Sequence, residues 1–328
     1  MKTHLKESGA TVRPHARSLM HALATRFALR CITALTLWSL VHSAQAGVIR
    51  HDTSDALYQS LAADSLYSGV GDMLIGISGV GTSRCSGTLI SSRWVLTAAH
   101  CVDHASTNNI NFSVGGSSYA ATQWLYHDDF NESSLLSGHD IGLVELNADV
   151  TGATISTLYT GSDELFEIST SVGFGRTGTG LTGDTVGSGT KRAGNNVIDL
   201  IYNGDLLLSD FDNPTNPADN VWGSSTALTY EYLIAPGDSG GQFIDIAGTE
   251  YLAGVHSFIG SFDGDTNADY GDYQGSTRVS SYIDWIEDMT GLSFSGTSIP
   301  APAPLALMGP ALLALRARRL AAPPLTND

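Results

Sequence analysis

Short apolar and alternating segments, separated by clusters of Gly, Ser and Asn, restrict the fold of this chain more than any other feature. Apolar residues that alternate with polar ones are typical of half-buried strands, and the intervening residue types are typical of turns. Glycine occurs 36 times and charged residues make up only 15% of the sequence, which favours many short strands over long charged helices. The strand-like segments are 72–79, 86–100, 109–126, 140–147, 197–208, 227–234, 241–246 and 251–259.

One segment has a helical pattern instead. The string SSYIDWIEDMTG (280–291) is amphipathic, begins with serines that suit a helix N-cap, and ends at Gly291. The sequence therefore predicts an all-β fold in two halves, followed by a C-terminal helix.

The N-terminal residues 1–46 read as a secretory signal. Arg26 and Arg30 precede an apolar stretch, 31–41, that is too short to span a bilayer. The string AQA (44–46) fits cleavage between small residues, which makes Gly47 the predicted first residue of the exported protein.

The cysteines agree with export. Cys31 is removed with the signal, which leaves Cys85 and Cys101 as an even pair. In an exported protein such a pair predicts a disulfide bond. The net charge of −17 at pH 7 argues against nucleic acid or an anionic membrane surface as a partner.

One string offers a nucleophile. Covalent hydrolysis requires an exposed nucleophile, a base, a carboxylate that orients the base, and backbone donors for the developing oxyanion. The string PGDSGG (236–241) places Ser239 between glycines, which leave room for a substrate carbonyl and let the N–H groups of Gly237 and Ser239 point at one oxygen. Taken alone, a Gly- and Ser-rich turn without catalytic function has a similar sequence.

Two further strings offer a base and a carboxylate. LTAAHC (96–101) contains His100, and HDIGLV (139–144) contains Asp140 in front of an apolar strand. A carboxylate there is costly to bury without a partner, and a histidine N–H is a suitable one. Taken singly, His100 also fits a structural residue or a metal ligand, and Asp140 also fits a turn.

The order His100, Asp140, Ser239 and the strings around these residues resemble the chymotrypsin/trypsin family of serine proteases over about residues 72–288. Other enzymes with such triads arrange them in a different chain order. Phe174 stands where the family usually has Trp. The further matching strings are SGTLISSRWVLTAAHC (86–101), GFGRTG (173–178), LAGVHSF (252–258) and TRVSSYIDWI (277–286).

The resemblance implies a chymotrypsin-like double barrel: two six-stranded antiparallel β-barrels with the active site in the cleft between them. The protease domain would occupy 47–295, with one barrel at about 72–160, the other at about 165–280, and the helix at 280–290.

The resemblance also implies a function, that of a serine endopeptidase acting on a protein or peptide substrate. Ser239 would attack the scissile bond, His100 would act as base, Asp140 would orient His100, and Gly237 and Ser239 would form the oxyanion hole. The expected substrate-binding residues are Leu233, Ser257, Phe258 and Ile259. The alternative is a catalytically silent surface adhesin or binding module on the same fold.

Three departures from the family concern activation and specificity. No Ile/Val-Val-Gly-Gly string is present to pair with Asp238, so either Asp238 has another partner or Val48 and Ile49 act after trimming. We expect that no propeptide cleavage of the trypsin type is needed. Leu233 replaces trypsin's pocket aspartate, and Ile259 stands where many relatives have Gly, so a preference for basic residues is not supported at that position.

An acidic loop follows these positions. It offers oxygen ligands at calcium-loop spacing but lacks the Gly and the final Glu of an EF-hand. No cofactor is expected, and a structural calcium ion and a solvated acidic loop remain alternatives. The loop's acidic residues also offer an attraction for basic substrates. The candidate ligands are Asp263, Asp265, Asn267 and Asp269.

The C-terminal residues 296–328 resemble the PEP-CTERM sorting signals of Gram-negative bacteria. The string IPAP (299–302) is followed by an apolar run, 305–315, and then by arginines, although the usual Glu is missing. The resemblance implies removal by a membrane sorting protease and delivery to the cell surface or exterior. A disordered tail or a weak membrane anchor is the alternative. The expected partners are therefore the substrate, signal peptidase and a sorting protease, and the enzyme is expected to be a monomer.

Overall fold

The computed structural model describes residues 46–105, 109–223 and 226–294. Apart from Ala46, the expected signal segment and the whole expected sorting segment, 296–328, lie outside these residues. The strands are β1 Gly47–Ile49, β2 Val70–Ile77, β3 Gly81–Leu89, β4 Trp94–Thr97, β5 Ile110–Val114, β6 Ser117–Tyr126, β7 Gly142–Leu146, β8 Ile168–Gly173, β9 Thr177–Thr179, β10 Gly183–Val186, β11 Arg192–Val197, β12 Leu200–Tyr202, β13 Leu206–Asp210, β14 Tyr232–Leu233, β15 Gly241–Ile246, β16 Thr249–Gly260 and β17 Tyr273–Arg278. The α-helices are α1 Asp55–Ala62, α2 Ala99–Val102 and α3 Ile283–Thr290.

The first half is a closed barrel of six antiparallel strands in the order β2-β3-β4-β7-β6-β5. Its register pairs Val70 with Thr88 and Val95 with Val144. Residues that alternate in β2 and β5 have buried side chains, among them Met73, Ile75 and Ile110. Alternation of this kind turns one face of each strand to the barrel interior.

The second half is one sheet in the order β11-β8-β15-β16-β17-β13-β12. Its two edge strands, β11 and β12, follow each other in the chain and are separated only by Ile198 and Asp199. The sheet therefore has to curl so that its edges approach, and with β11 and β12 counted as one bent strand it has six strands. The predicted chymotrypsin-like fold is confirmed.

The segment before the first barrel is part of the fold. Strand β1 lies between β9 and β14 in a small four-stranded sheet. Helix α1 is held by an ion pair between Asp55 and the fully buried Arg192, and by Tyr58, whose hydroxyl donates to the Glu231 carbonyl at 3.1 Å. These contacts join residues 47–69 to the second sheet.

One apolar cluster runs through both halves. It contains Leu96 and Leu143 from the barrel, Phe243 and Val255 from the second sheet, and Ile286 from α3. Burial of each such side chain stabilises a protein by about 1.5–3 kcal/mol. The shared core therefore fixes the barrel against the sheet, and with it the positions of residues at their junction. None of the helices in the described ranges is long and apolar enough to cross a bilayer.

Candidate active site

Ser239 lies in the turn between β14 and β15, at the junction of the two halves. Gly237 has a φ of +103°, which favours glycine strongly. A side chain at Gly240 would meet the Val172 carbonyl oxygen at 2.9 Å and the Ser86 Cβ at 2.8 Å. The glycines on both sides of Ser239 are thus required by backbone conformation and by space.

His100 lies in the short helix α2, directly after β4. The next residue, Cys101, forms a disulfide bond with Cys85 of β3, so the predicted disulfide is confirmed. The bond ties the helix that carries His100 to the barrel wall.

The structure brings Ser239, His100 and Asp140 together. His100 Nε2 is 2.9 Å from Ser239 Oγ, and His100 Nδ1 is 2.7 Å from Asp140 Oδ2. The backbone N–H of His100 also donates to Asp140 Oδ1 at 2.9 Å. The His100 imidazole is therefore within hydrogen-bond distance of the Ser239 hydroxyl on one side and of the Asp140 carboxylate on the other.

Asp140 is fully buried and is surrounded by donors. Ser257 Oγ donates to its Oδ2 at 2.5 Å, and Thr277 Oγ1 donates to its backbone carbonyl at 2.9 Å. A buried carboxylate is tolerated when its oxygens are hydrogen-bonded in this way. Burial alone would lower the pKa of His100, but the charge of Asp140 and its hydrogen bond outweigh burial and raise that pKa above its ordinary value.

The predicted oxyanion hole concerns the backbone around Ser239. Within the described residues, neither the N–H of Gly237 nor that of Ser239 donates a hydrogen bond. The Gly237 carbonyl accepts from Ser86 Oγ at 2.8 Å, which in turn accepts from the Phe174 N–H at 2.8 Å. The peptide at Gly237 is therefore held from its carbonyl side, and two N–H groups remain available to a ligand.

Asp238 has its own set of partners beneath this turn. Its carboxylate accepts from the N–H groups of Gly175 at 2.8 Å and Ala235 at 2.9 Å, and from the Tyr232 hydroxyl at 3.2 Å. Burial raises the pKa of Asp238 to about 6, against the effect of these hydrogen bonds. In the untrimmed chain Val48 and Ile49 form strand β1, and Asp238 has the partners named above. The expectation that no propeptide cleavage of the trypsin type is needed stays a prediction.

A cavity of about 440 Å³ opens beside Ser239. Ser257, Phe258 and Ile259 line it, as expected. Leu233 does not: it is fully buried and packs behind the cavity wall with Val48, while the next residue in the chain, Ile234, lines the cavity.

Among the lining residues that the sequence predictions did not assign to the site, three have charged or titratable side chains. They are His256, Arg84 and Arg176. His256 was identifiable in principle, because it directly precedes Ser257 in the matched string. Arg176 lies in the matched string 173–178 and Arg84 directly precedes Cys85, but neither string by itself indicates that the arginine lines a cavity.

The acidic loop lies away from the cavity lining. Asp263 Oδ1 accepts from the Asp265 N–H at 2.8 Å, and Asn267 Oδ1 accepts from the Asp269 N–H at 3.0 Å. These oxygens stabilise turns within the loop. Calcium binding at this loop stays a prediction.

Elsewhere in the described residues, potential metal ligands come together beside the site. Ligand atoms of His127, Asp129 and His139 lie within 4.8 Å of one another, and the two imidazole rings stack with centroids 4.8 Å apart. His139 directly precedes Asp140 in the chain.

Comparisons with known proteins agree with the geometry. The trypsin family profile matches residues 68–286. The chain is 26% identical over 227 residues to chymotrypsin-like elastase family member 1 of Bos taurus, covering 62% of this chain and 77% of that protein. Against the same protein of Rattus norvegicus it is 26% identical over 225 residues, with coverages of 62% and 78%. A solved structure described as HL collagenase resembles the fold with a TM-score of 0.50 and 21% identity, covering 70% of this chain and 96% of that one.

Proposed function

Because the chain belongs to the trypsin family, we propose that it is an exported serine endopeptidase with Ser239 as its nucleophile. The observation that carries the proposal is the continuous hydrogen-bonded series from Asp140 through His100 to Ser239. A nucleophile, a base and an orienting carboxylate in this geometry suit acyl transfer.

In the proposed mechanism, Ser239 Oγ attacks the carbonyl carbon of the scissile bond while His100 Nε2 takes the hydroxyl proton. The C–N bond then breaks, and His100 gives that proton to the leaving amine. A water molecule, deprotonated by His100, then attacks the carbonyl carbon of the acyl-enzyme. The bond from that carbon to Ser239 Oγ breaks, His100 returns the proton to Oγ, and the carboxylic acid product leaves. Asp140 holds the His100 ring and stabilises its charged form, and the raised pKa of His100 agrees with that role.

The oxyanion of each tetrahedral intermediate is bound by the N–H groups of Gly237 and Ser239. Backbone donors that are already in place cost no reorganisation when the charge develops. Ser257, Phe258 and Ile259, which line the cavity, pair with the substrate backbone. The chemistry needs no cofactor, since side chains and backbone supply every group, and one chain supplies all of them, so we propose a monomer.

The alternative, a silent adhesin on the same fold, is less well supported. An adhesin has no need for a histidine 2.9 Å from a serine hydroxyl beside two free backbone donors. The test is digestion of a denatured protein such as reduced casein by the purified enzyme and by the Ser239→Ala variant. Cleavage by the first alone supports the endopeptidase, and an intact substrate with both supports the adhesin.

Export and sorting belong to the same proposal. Cleavage after Ala46 by signal peptidase leaves strand β1 complete, because β1 begins at Gly47. The segment 296–328 would then direct the protein to a sorting protease and to the surface or exterior of a Gram-negative bacterium. Intact-mass measurement of the released protein tests both cleavages: a mass that retains 305–328 contradicts sorting.

A further inference from the structure

The cavity beside Ser239 differs in charge from the rest of the protein. The chain has a net charge of −17, yet the residues that line the cavity include Arg84 and Arg176 and no carboxylate. The ion-pair partners of these arginines, Asp72 at 2.8 Å and Asp184 at 3.5 Å, lie outside the lining. A cleft lined by one sign of charge attracts ligands of the other sign.

Arg176 is fixed close to the scissile-bond position. Its backbone N–H donates to the Pro236 carbonyl at 2.8 Å, next to Gly237 in the chain, and about half of its side chain is exposed. The Arg84 carbonyl oxygen lies 3.5 Å from the Cβ position of Gly237. The backbones of both arginines thus lie beside the proposed oxyanion hole, and their side chains extend along the cavity lining.

His256 lines the buried part of the same cavity. It is 1% exposed, and its Nδ1 is 3.0 Å from Ser276 Oγ. Its Nε2 is buried and has no hydrogen-bond partner among the described residues. A buried polar group without a partner costs about 1–3 kcal/mol, so a ligand that supplies a partner for Nε2 is favoured.

We propose that His256 selects substrates with an acidic side chain, glutamate above all, at the residue whose carbonyl Ser239 attacks. This inference rests on the proposed function and names its substrate class. The side chain of that residue enters the cavity between the wall formed by 234–237 and the strand formed by 256–259. Its methylene groups contact Phe258 and Ile259. A small shift of the His256 ring, whose Nε2 is buried in the free protein, lets the carboxylate accept a hydrogen bond from Nε2.

The chemistry of the histidine fits this role. Burial lowers the pKa of His256 to about 3, so the free ring is neutral near pH 7. When Nδ1 accepts from the Ser276 hydroxyl, the ring proton is on Nε2, where it faces a carboxylate acceptor. The cavity already contains the positive charges of Arg84 and Arg176 and the donor His256. A lysine or arginine side chain of the substrate would add further donors and a further positive charge, so it is disfavoured there.

The test is a set of peptides that differ only at the residue before the scissile bond, with Glu, Gln, Val and Lys compared by kcat/KM. Glutamate and glutamine have nearly the same shape, so their ratio isolates recognition of the charge. We expect Glu to exceed Gln by about tenfold or more, the effect of one hydrogen bond to a charged group. Preference for Val or Lys, or equal rates for Glu and Gln, overturns the inference.

Variants of three residues test whether His256 is the residue that distinguishes glutamate from glutamine. His256→Val should bring the Glu/Gln ratio close to one, and Ser276→Ala should reduce it about threefold through loss of the bond that orients the ring. Arg176→Ala should lower the rates for Glu and Gln peptides that carry further acidic residues but leave their ratio unchanged. A ratio that survives in His256→Val, or that collapses only in Arg176→Ala, contradicts the role of His256.

Titration with a serine-reactive phosphonate counts the folded active sites in each preparation, and all rates are divided by that count. It also separates the two proposals. Wild-type protein that reacts with the phosphonate but prefers Val or Lys peptides contradicts only the inference about His256. Wild-type protein that does not react contradicts the proposed function itself.

Discussion

Ser257 Oγ donates a hydrogen bond to Asp140 Oδ2 at 2.5 Å, and the same carboxylate oxygen lies 2.7 Å from His100 Nδ1. Ser257 belongs to β16 of the second sheet. Asp140 belongs to the first half of the protein and lies two residues before β7 of the barrel, which begins at Gly142. The bond therefore joins the two halves at the proposed triad. The sequence assigned Ser257 only to substrate binding, and its side chain has this additional contact.

Ser257→Ala should lower kcat by roughly tenfold with little change in KM, because one hydrogen bond to a buried charge is lost. Steady-state kinetics on one peptide measures the effect. The matched control is Ser261→Ala, which removes a hydroxyl whose acceptor is Asp263 in the exposed loop. Equal kcat values for Ser257→Ala and the wild type would show that this bond does not support the triad.

The pH dependence of kcat/KM should reflect His100. The base has to be neutral to accept a proton, and Asp140 raises the pKa of His100. Activity is therefore lost as the pH falls through a value above the ordinary histidine value of about 6.5. Asp140→Asn should lower kcat by roughly 10³–10⁴-fold and move the midpoint to lower pH. A wild-type midpoint at or below the ordinary histidine value is incompatible with the geometry.

Tyr232→Phe should weaken the turn that carries Ser239. The variant removes one of three donors to the buried Asp238 carboxylate, so the pKa of Asp238 should rise further above about 6. As the pH is lowered, the rate of phosphonate inactivation should therefore begin to fall at a higher pH in Tyr232→Phe than in the wild type. Tyr230→Phe, a nearby aromatic change outside this hydrogen-bond set, is the control. Identical pH profiles for both variants would show that the Tyr232 hydroxyl does not stabilise the charged form of Asp238.

The residues of the site satisfy local requirements, but each string was ambiguous by itself, and the three were combined through their resemblance to the chymotrypsin/trypsin family. Glycines around Ser239 are needed by the turn itself, and Asp140 stands before a buried strand where a carboxylate needs a partner. The fold class followed from the spacing of short strands, and the disulfide from the number of cysteines in an exported chain.

The remaining features depend on contacts between distant segments. Leu233 is buried because it pairs with Val48, which lies far away in the sequence. His256 resembles an ordinary core residue of an apolar strand until the cavity beside it is known. Arg192 binds Asp55, which lies 137 residues away in the chain. Such pairings are fixed by the tertiary structure and leave no local pattern.

Asp212→Asn should stabilise the protein at high pH only. Burial, followed by the charges of Asp210 and Asp199, raises the pKa of Asp212 from 3.8 to about 7. The folded state thus holds this proton more tightly than the unfolded chain, and stability declines as the pH rises from about 4 to about 7. At pH 8 the variant should gain up to about 4 kcal/mol in the free energy of unfolding, the energy that corresponds to the rise of the pKa from 3.8 to about 7, and at pH 4 less than about 1 kcal/mol.

Denaturant unfolding at both pH values measures this difference. The exposed Asp288→Asn is the control, since it changes the same charge at the surface. A gain for Asp212→Asn that is equal at pH 4 and pH 8 would show that ionisation of Asp212 does not limit stability.

The central claim, that Ser239 is an activated nucleophile, is tested most directly by covalent labelling. The wild-type protein is incubated with a serine-reactive phosphonate and digested, and the modified residue is identified by mass spectrometry. The account predicts a single adduct on Ser239 that is absent from Ser239→Ala and strongly reduced in His100→Ala. A folded wild-type protein that forms no adduct, or an adduct that persists in Ser239→Ala, would contradict it.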